Sequence, residues 1–300
     1  VSATVTFDLN RYLQERARFI DDALERYLPS EQERPQLLHR AMRYSTLSGG
    51  KRLRPILVIA GAEAVGGTAE AVLPTACAIE LIHTFSLIHD DLPAIDNDTL
   101  RRGRPTCHVQ FGEAVAILAG DALFAGAFEL IALNADTAPS ERVVQVLHLI
   151  AEASGTRGMV GGQMVDILSE GKAVDAETLE YIHLHKTAAL IRASVVAGAL
   201  LAGGSCWQVE ALGTYGTKVG LAFQIADDLL NVTGDPSKTG KAVGTDAARG
   251  KATYPALFGV EASQKRAQQL IQEAIAALHV FGEQAEPLRA IAHFIVEREG

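Results

Sequence analysis

The chain has 300 residues, a net charge of −9, and 48% hydrophobic residues of which few are aromatic. That length and apolar share support a sizeable core, and the predominance of Ala, Leu, Ile and Val favours helices over a β sandwich. The acidic balance excludes a broad cationic surface for nucleic acid, and three scattered cysteines (Cys77, Cys107 and Cys206) without metal-ligand spacing fit reduced thiols in a cytoplasmic protein.

The first residues lack a basic start leading into an apolar run, so no secretory signal is expected, and the initial Val points to a processed or truncated start. Over 9–27, Leu13, Ala17, Ile20, Leu24 and Tyr27 recur at steps of three and four, which predicts a helix. Further helices are expected over 35–46, 55–64 and 68–88, then 112–134, 140–153 and 161–168. A long, interrupted one is expected over 176–203, followed by 209–230, 254–260, 263–278 and 286–298. Pro93 stops the helix that runs into it, and 234–250, rich in Gly, Lys, Thr and Ser, reads as a loop. The stretches 114–133 and 187–204 are very apolar but carry Asp121, Glu129 and Arg192, so buried helices are expected rather than membrane spans. No strand alternation or linker divides the chain. Residues 1–300 are therefore expected to form a single all-α domain, a bundle of about ten or more helices around a central cavity.

Two aspartate clusters end two of the long helices. The first contains Asp90, Asp91, Asp96 and Asp98; the second contains Asp227 and Asp228, with Asn231 one turn on from Asp227. Acids are disfavoured at the negative end of a helix, so grouping them there needs cations. A turn at Pro93 can bring Asp96 back beside Asp90. Arg101 and Arg102 follow the first cluster, and Lys238, Lys241 and Lys251 follow the second. Lys51, Arg52 and Arg54 lie upstream, and Lys186 sits inside an otherwise apolar helix, where it needs an anionic partner. His83 precedes Asp90 by two helical turns and lies on nearly the same face. Two carboxylate groups surrounded by cations suggest a site where Mg²⁺ holds a polyphosphate.

In chain order, GGKRLRP, ELIHTFSLIHDDLPAIDNDTLRRGRPTCH, GQMVDI, HKTAALI, FQIADDLLNVTGD and TGKAVGTDAARGKATYP resemble the trans-isoprenyl diphosphate synthases, the family of bacterial farnesyl and geranylgeranyl diphosphate synthases. The resemblance covers nearly the whole chain. It implies a Mg²⁺-dependent prenyltransferase that joins isopentenyl diphosphate to an allylic diphosphate (dimethylallyl or geranyl) by ionisation, condensation and elimination. Asp90, Asp96 and Asp227 would bind three Mg²⁺ ions, with Asp91 in support. Arg101, Lys186 and Lys241 would contact the allylic diphosphate, with Lys251 nearby. Lys51, Arg54, His83 and Arg102 would hold the diphosphate of isopentenyl diphosphate. Thr187 and Gln224 would face the developing carbocation. A homodimer is implied as well. Asn231 departs from the family pattern, which usually has Asp there, and Asn97 interrupts an otherwise acidic run.

The aromatic Phe85, five residues before Asp90, with Ser86 beside it, is expected to set product length. An aromatic at that place resembles farnesyl diphosphate synthases, so a C15 product is expected, with a C20 geranylgeranyl product as the alternative. On an ideal helix Ser86 falls about 40° from Asp90 and Phe85 about 140° away, so Phe85 also fits ordinary core. Two remoter alternatives are a terpene cyclase of the same fold, which would not need Lys51, Arg54 and His83, and a non-catalytic helical subunit, which would have lost its aspartates and lysines.

Overall fold

The computed structural model describes residues 7–233 and 251–297. These form an all-α bundle, as expected. Helix α1 (Leu9–Tyr27) starts at Asp8, whose carboxylate accepts the Arg11 backbone N–H. Next come α2 (Gln36–Thr46), α3 (Leu53–Ala64) and α4 (Ala69–Asp90). After α4 the chain forms a turn and a short antiparallel ribbon, β1 (Leu100–Arg101) with β2 (Arg104–Pro105). Then follow α5 (Cys107–Phe111), α6 (Glu113–Ala132), α7 (Ser140–Ser154), α8 (Met159–Ser169) and α9 (Ala176–Ile182). A π-helical turn, His183–Ala188, joins α9 to α10 (Ala189–Leu201). The long α11 (Cys206–Thr233) ends at the second aspartate cluster. After residue 250 come α12 (Tyr254–Phe258), α13 (Val260–Ala277) and α14 (Glu286–Glu297).

The centre is set by helices that are apolar all round. In α3 the residues Pro55–Ala62 are buried on every face, and α4 and α10 are buried along most of their length. Helix α3 packs against α4 and α10, α10 against α11, and α4 against α6. Around that centre α1, α2, α7 and α13 are amphipathic, presenting one apolar stripe inward.

The ribbon was not expected from alternation, because two-residue strands are too short to show any. Its turn residues, Arg102 and Gly103, both have positive φ (53° and 73°), as a two-residue hairpin of right-handed twist requires. The expected interruption in 176–203 is the π turn. Such turns concentrate at functional sites, and this one carries Lys186 and Thr187.

Three segments, Ala69–Asp90, Glu113–Asp136 and Ala176–Leu201, are long and apolar enough to cross a membrane by length and composition alone. The first and third are mostly buried within the bundle, whereas the segment containing α6 is only 39% buried, with Ile117 and Leu118 exposed.

Candidate active site

The two clusters meet at one end of the bundle. Helix α4 stops at Asp90, and the following turn folds back so that the Asp96 N–H donates to the Asp90 carbonyl at 2.8 Å. Asn97 holds that turn in the left-handed region (φ 52°), a conformation Asn tolerates far better than most residues, and its N–H donates to the Leu92 carbonyl at 3.0 Å. The interruption of the acidic run is therefore the residue that closes it. From the far side of the sequence, Lys251 Nζ reaches Asp96 Oδ1 at 2.9 Å.

Burial, and the like charge of Asp96, push the Asp90 carboxyl up to about 6, although Lys186, Arg101 and Lys251 act in the opposite direction. Asp91 is in a different environment. It is 3% exposed, and Arg101 grips both of its oxygens, with Nε at 2.8 and 3.0 Å and Nη2 at 2.6 Å. Asp91, grouped with the metal ligands on sequence, is thus held by a bidentate guanidinium. Asp227 is exposed while its neighbour Asp228 is buried.

The cations divide into two groups. Arg52, at the start of α3, takes a left-handed backbone (φ 49°) and points inward. It donates to Glu80 at 2.6 Å, Asp21 at 2.8 Å and the Thr46 carbonyl at 2.8 Å. That buried network frames the neighbouring Lys51 and Arg54. The Arg54 Nη1 lies 3.5 Å from His83 Nε2, and its own Nε is buried without a hydrogen-bond partner. Burial and the facing guanidinia of Arg54, Arg102 and Arg101 hold the His83 imidazole well below its ordinary range, so it is neutral and can accept from Arg54. Arg102 donates to the Gly49 carbonyl and to Ser48 Oγ, which ties the ribbon to the glycines before α3. A Cβ added at Gly50, whose φ is 129°, would overlap the Arg102 guanidinium.

Lys186 finds its anionic partner in Asp166 of α8, with Nζ at 2.7 Å from Oδ2. Gly162 lets α8 come that close, because an added Cβ there would overlap the Lys186 backbone. Thr187 donates to Gln224 Oε1 at 2.8 Å. Phe85 packs on His89 (5.0 Å between ring centres) and Phe124 (4.8 Å), and Phe124 packs on Phe128 (5.2 Å). Ser86 donates to the His83 carbonyl at 2.8 Å. Lys241 lies outside the described residues.

One end of the bundle therefore gathers Asp90, Asp96, Lys186, Arg101 and Lys251, coupled through their charges, with Arg54 linked to both His83 and Asp227. A surface depression of about 480 Å³, lined by Arg40, Tyr44, Arg104 and Phe111 among others, contains none of these residues. Sequence reasoning missed Asp166 and His183, and placed Asp228 in the second cluster without assigning it a partner. Asp166 lay in a quoted motif and was the acid that Lys186 required.

The polyprenyl synthetase family model matches residues 35–288. The chain is 49% identical to geranylgeranyl diphosphate synthase of Cyanophora paradoxa, across 97% of both chains. It is 47% identical to a dimethylallyltranstransferase of Fischerella ambigua, across 98% of this chain and 84% of that one. Among solved structures it resembles the apo FPP/GFPP synthase of Zymomonas mobilis, at 41% identity and a TM-score of 0.86, covering 96% of this chain and 98% of that one.

Proposed function

The chain belongs to the polyprenyl synthetase family and is a prenyltransferase, and on that footing we propose that it condenses isopentenyl diphosphate with allylic diphosphates to give geranylgeranyl diphosphate. The observation that carries this proposal is the Lys251–Asp96 pair, formed across 155 residues, which joins the first acid cluster to the cations after the second.

The donor set fits Mg²⁺. Asp90, Asp96 and Asp227 offer hard carboxylate oxygens, with no thiol among them. Among the described residues, no three His, Cys, Asp or Glu side chains gather closely enough to hold a metal unaided. Mg²⁺ is ordinarily held by one or two carboxylates together with substrate phosphates. When bound, Mg²⁺ supplies charge neutralisation for the diphosphate and its departure. Arg101, Lys186, Lys241 and Lys251 are the cations for the allylic diphosphate, and Lys186 exchanges Asp166 for phosphate oxygens as substrate enters. Lys51, Arg54, His83 and Arg102 hold the second diphosphate. The unpartnered Nε of Arg54 and the neutral His83 support that role. Cations fixed before the reaction stabilise the charge that develops on the leaving group without reorganising. Thr187 and Gln224 face the allylic carbon, and the apolar walls of α4 and α10 keep water from quenching it. The departing diphosphate takes the final proton, so the step needs no separate Ser–His or His–Asp base.

The C15 product expected from Phe85 gives way to C20. The relative at 49% identity carries the geranylgeranyl name. Phe85 also leans on α6 through Phe124, which leaves small Ser86 on the face below Asp90. The Phe85–Phe124–Phe128 stack then forms the floor further down. Phe85→Ala is expected to lengthen the product beyond C20; an unchanged profile would remove the stack as the floor. A second copy of the chain covers the exposed apolar face of α6, giving a homodimer, which light scattering on the purified protein tests.

The direct test is incubation with Mg²⁺, isopentenyl diphosphate and dimethylallyl, geranyl or farnesyl diphosphate in turn, with chromatography of the dephosphorylated products. A dominant C20 alcohol is expected. A C15 end product would return the assignment to farnesyl diphosphate, and no condensation with any primer would overturn the prenyltransfer proposal.

A further inference from the structure

Asp228 is bonded to the fold through both of its carboxylate oxygens. It is 4% exposed, while its neighbour Asp227 faces outward. Its Oδ2 accepts the Tyr254 backbone N–H at 3.0 Å and lies 3.4 Å from His183 Nε2. Its Oδ1 lies 3.1 Å from the Gln224 amide nitrogen. A backbone N–H only donates and a carboxylate only accepts, so the Gln224 amide must turn its NH₂ towards Asp228 and its carbonyl the other way. That carbonyl oxygen lies 2.8 Å from Thr187 Oγ1. Thr187 must therefore donate, which leaves its oxygen lone pairs as acceptors. Burial lowers the His183 pKa to about 4, and its Nε2 lies beside Asp228 while Nδ1 is left without a partner.

Resting on the prenyltransfer reading above, we propose that Asp228 is a positioning residue that fixes the donor–acceptor order of an Asp228–Gln224–Thr187 relay. With the order set, Thr187 presents oxygen rather than a proton to the electron-poor allylic carbon. If the order reverses, the same hydroxyl turns its positive end towards that carbon. In a water-poor site, aiming one dipole the wrong way costs about 10²-fold in rate. The Tyr254 N–H supplies the fixed end of the relay. It is a backbone group, which cannot flip, so it holds the carboxylate in place. The second aspartate of the pair thus acts through Gln224 and Thr187 and not on the metal.

Asp228→Asn tests this directly. The new amide keeps its oxygen on the Tyr254 N–H and turns its NH₂ towards Gln224, which must then flip. The expected result is a kcat for condensation lower by about 10²-fold. KM for both diphosphates and the half-saturating Mg²⁺ concentration stay within about threefold. In a Thr187→Val background, which has no hydroxyl to orient, the same substitution changes kcat by less than about threefold. Gln224→Glu sets two carboxylates against each other, and adding Asp228→Asn restores the order of donors and acceptors. The double variant should therefore turn over faster than Gln224→Glu alone, and this comparison holds even if Asp228→Asn by itself folds poorly. An equal loss in both Thr187 backgrounds, a raised Mg²⁺ requirement, or no recovery in the double variant would overturn the relay. If the unaltered protein condenses nothing, the prenyltransfer reading fails and the relay is judged by NMR instead. The Gln224 side-chain amide resonances should then move in Asp228→Asn and stay in place in Asp227→Asn; the reverse overturns the relay.

Discussion

The two aspartate pairs differ in how they are built and agree in how they divide their labour. At the end of α4, Asp91 is neutralised by a charged partner, Arg101, delivered by a two-residue ribbon. Near the end of α11, Asp228 accepts from a backbone N–H and a Gln amide, with His183 beside it. In each pair the second aspartate belongs to the frame. The first, Asp90 or Asp227, is the one that the proposed function assigns to the ligand. Adjacent residues on a helix lie about 100° apart, so a DD pair cannot aim both carboxylates at one point. One of the two needs an internal partner, and the choice of partner separates the clusters. The arginine of the first also stands beside the substrate site, whereas the partners of the second lead inward to Gln224 and Thr187.

That comparison can be broken at its strongest point first. Asp90→Ala or Asp227→Ala should lower kcat/KM by about 10³-fold, because each removes a carboxylate that the proposed function assigns to the ligand. Steady-state assays at saturating Mg²⁺ check this, and a loss below about tenfold in either would remove that residue from the ligand side. Asp91→Asn should act mainly on stability. Loss of the Arg101 pair opposes the relief of a carboxylate that burial disfavours, so a small change in the urea midpoint is expected, without the loss of turnover expected at Asp90.

Much of this arrangement was legible in the sequence. Pro93 after Asp90 already allowed a turn returning Asp96, and the lysine in an apolar helix already called for an anionic partner, for which the sequence favours the ligand and the fold supplies Asp166. What the sequence could not reveal was direction. Lys51, Arg52 and Arg54 look alike in GGKRLRP until the left-handed backbone at Arg52 turns that one side chain onto Glu80. Asp227 and Asp228 are likewise chemically identical, and the partner that distinguishes them is the backbone of Tyr254, which has no sequence signature. Asn97 read as a gap in an acidic run because its backbone conformation, not its side-chain charge, is what the turn uses.

Smaller effects sharpen the comparison. In metal-stripped protein, Asp90 titrates at about 6 instead of its ordinary 3.8. A carboxyl raised on folding favours the folded state while protonated, below its ordinary value, and that contribution is lost as pH rises through about 6. Asp90→Asn, which stays neutral, should therefore raise the apo Tm near pH 8 by ~2 °C or more, with the gain shrinking towards pH 5. Equal shifts at both pH values would contradict a strained, ionised Asp90. Asn231→Asp is expected to have the smallest effect. It should keep or slightly lower the half-saturating Mg²⁺ concentration with turnover retained, and a large loss of turnover would refute that.

The division of labour itself is tested most directly by one Mg²⁺ titration of activity across Asp90→Asn, Asp91→Asn, Asp227→Asn and Asp228→Asn. The half-saturating Mg²⁺ concentration should rise by about tenfold or more in the Asp90 and Asp227 variants, as the loss of a metal-facing carboxylate requires, and stay near that of the unaltered protein in the other two. A rise in the Asp91 or Asp228 variant that matches its neighbour's would contradict the assignment of one aspartate to the ligand and one to the frame.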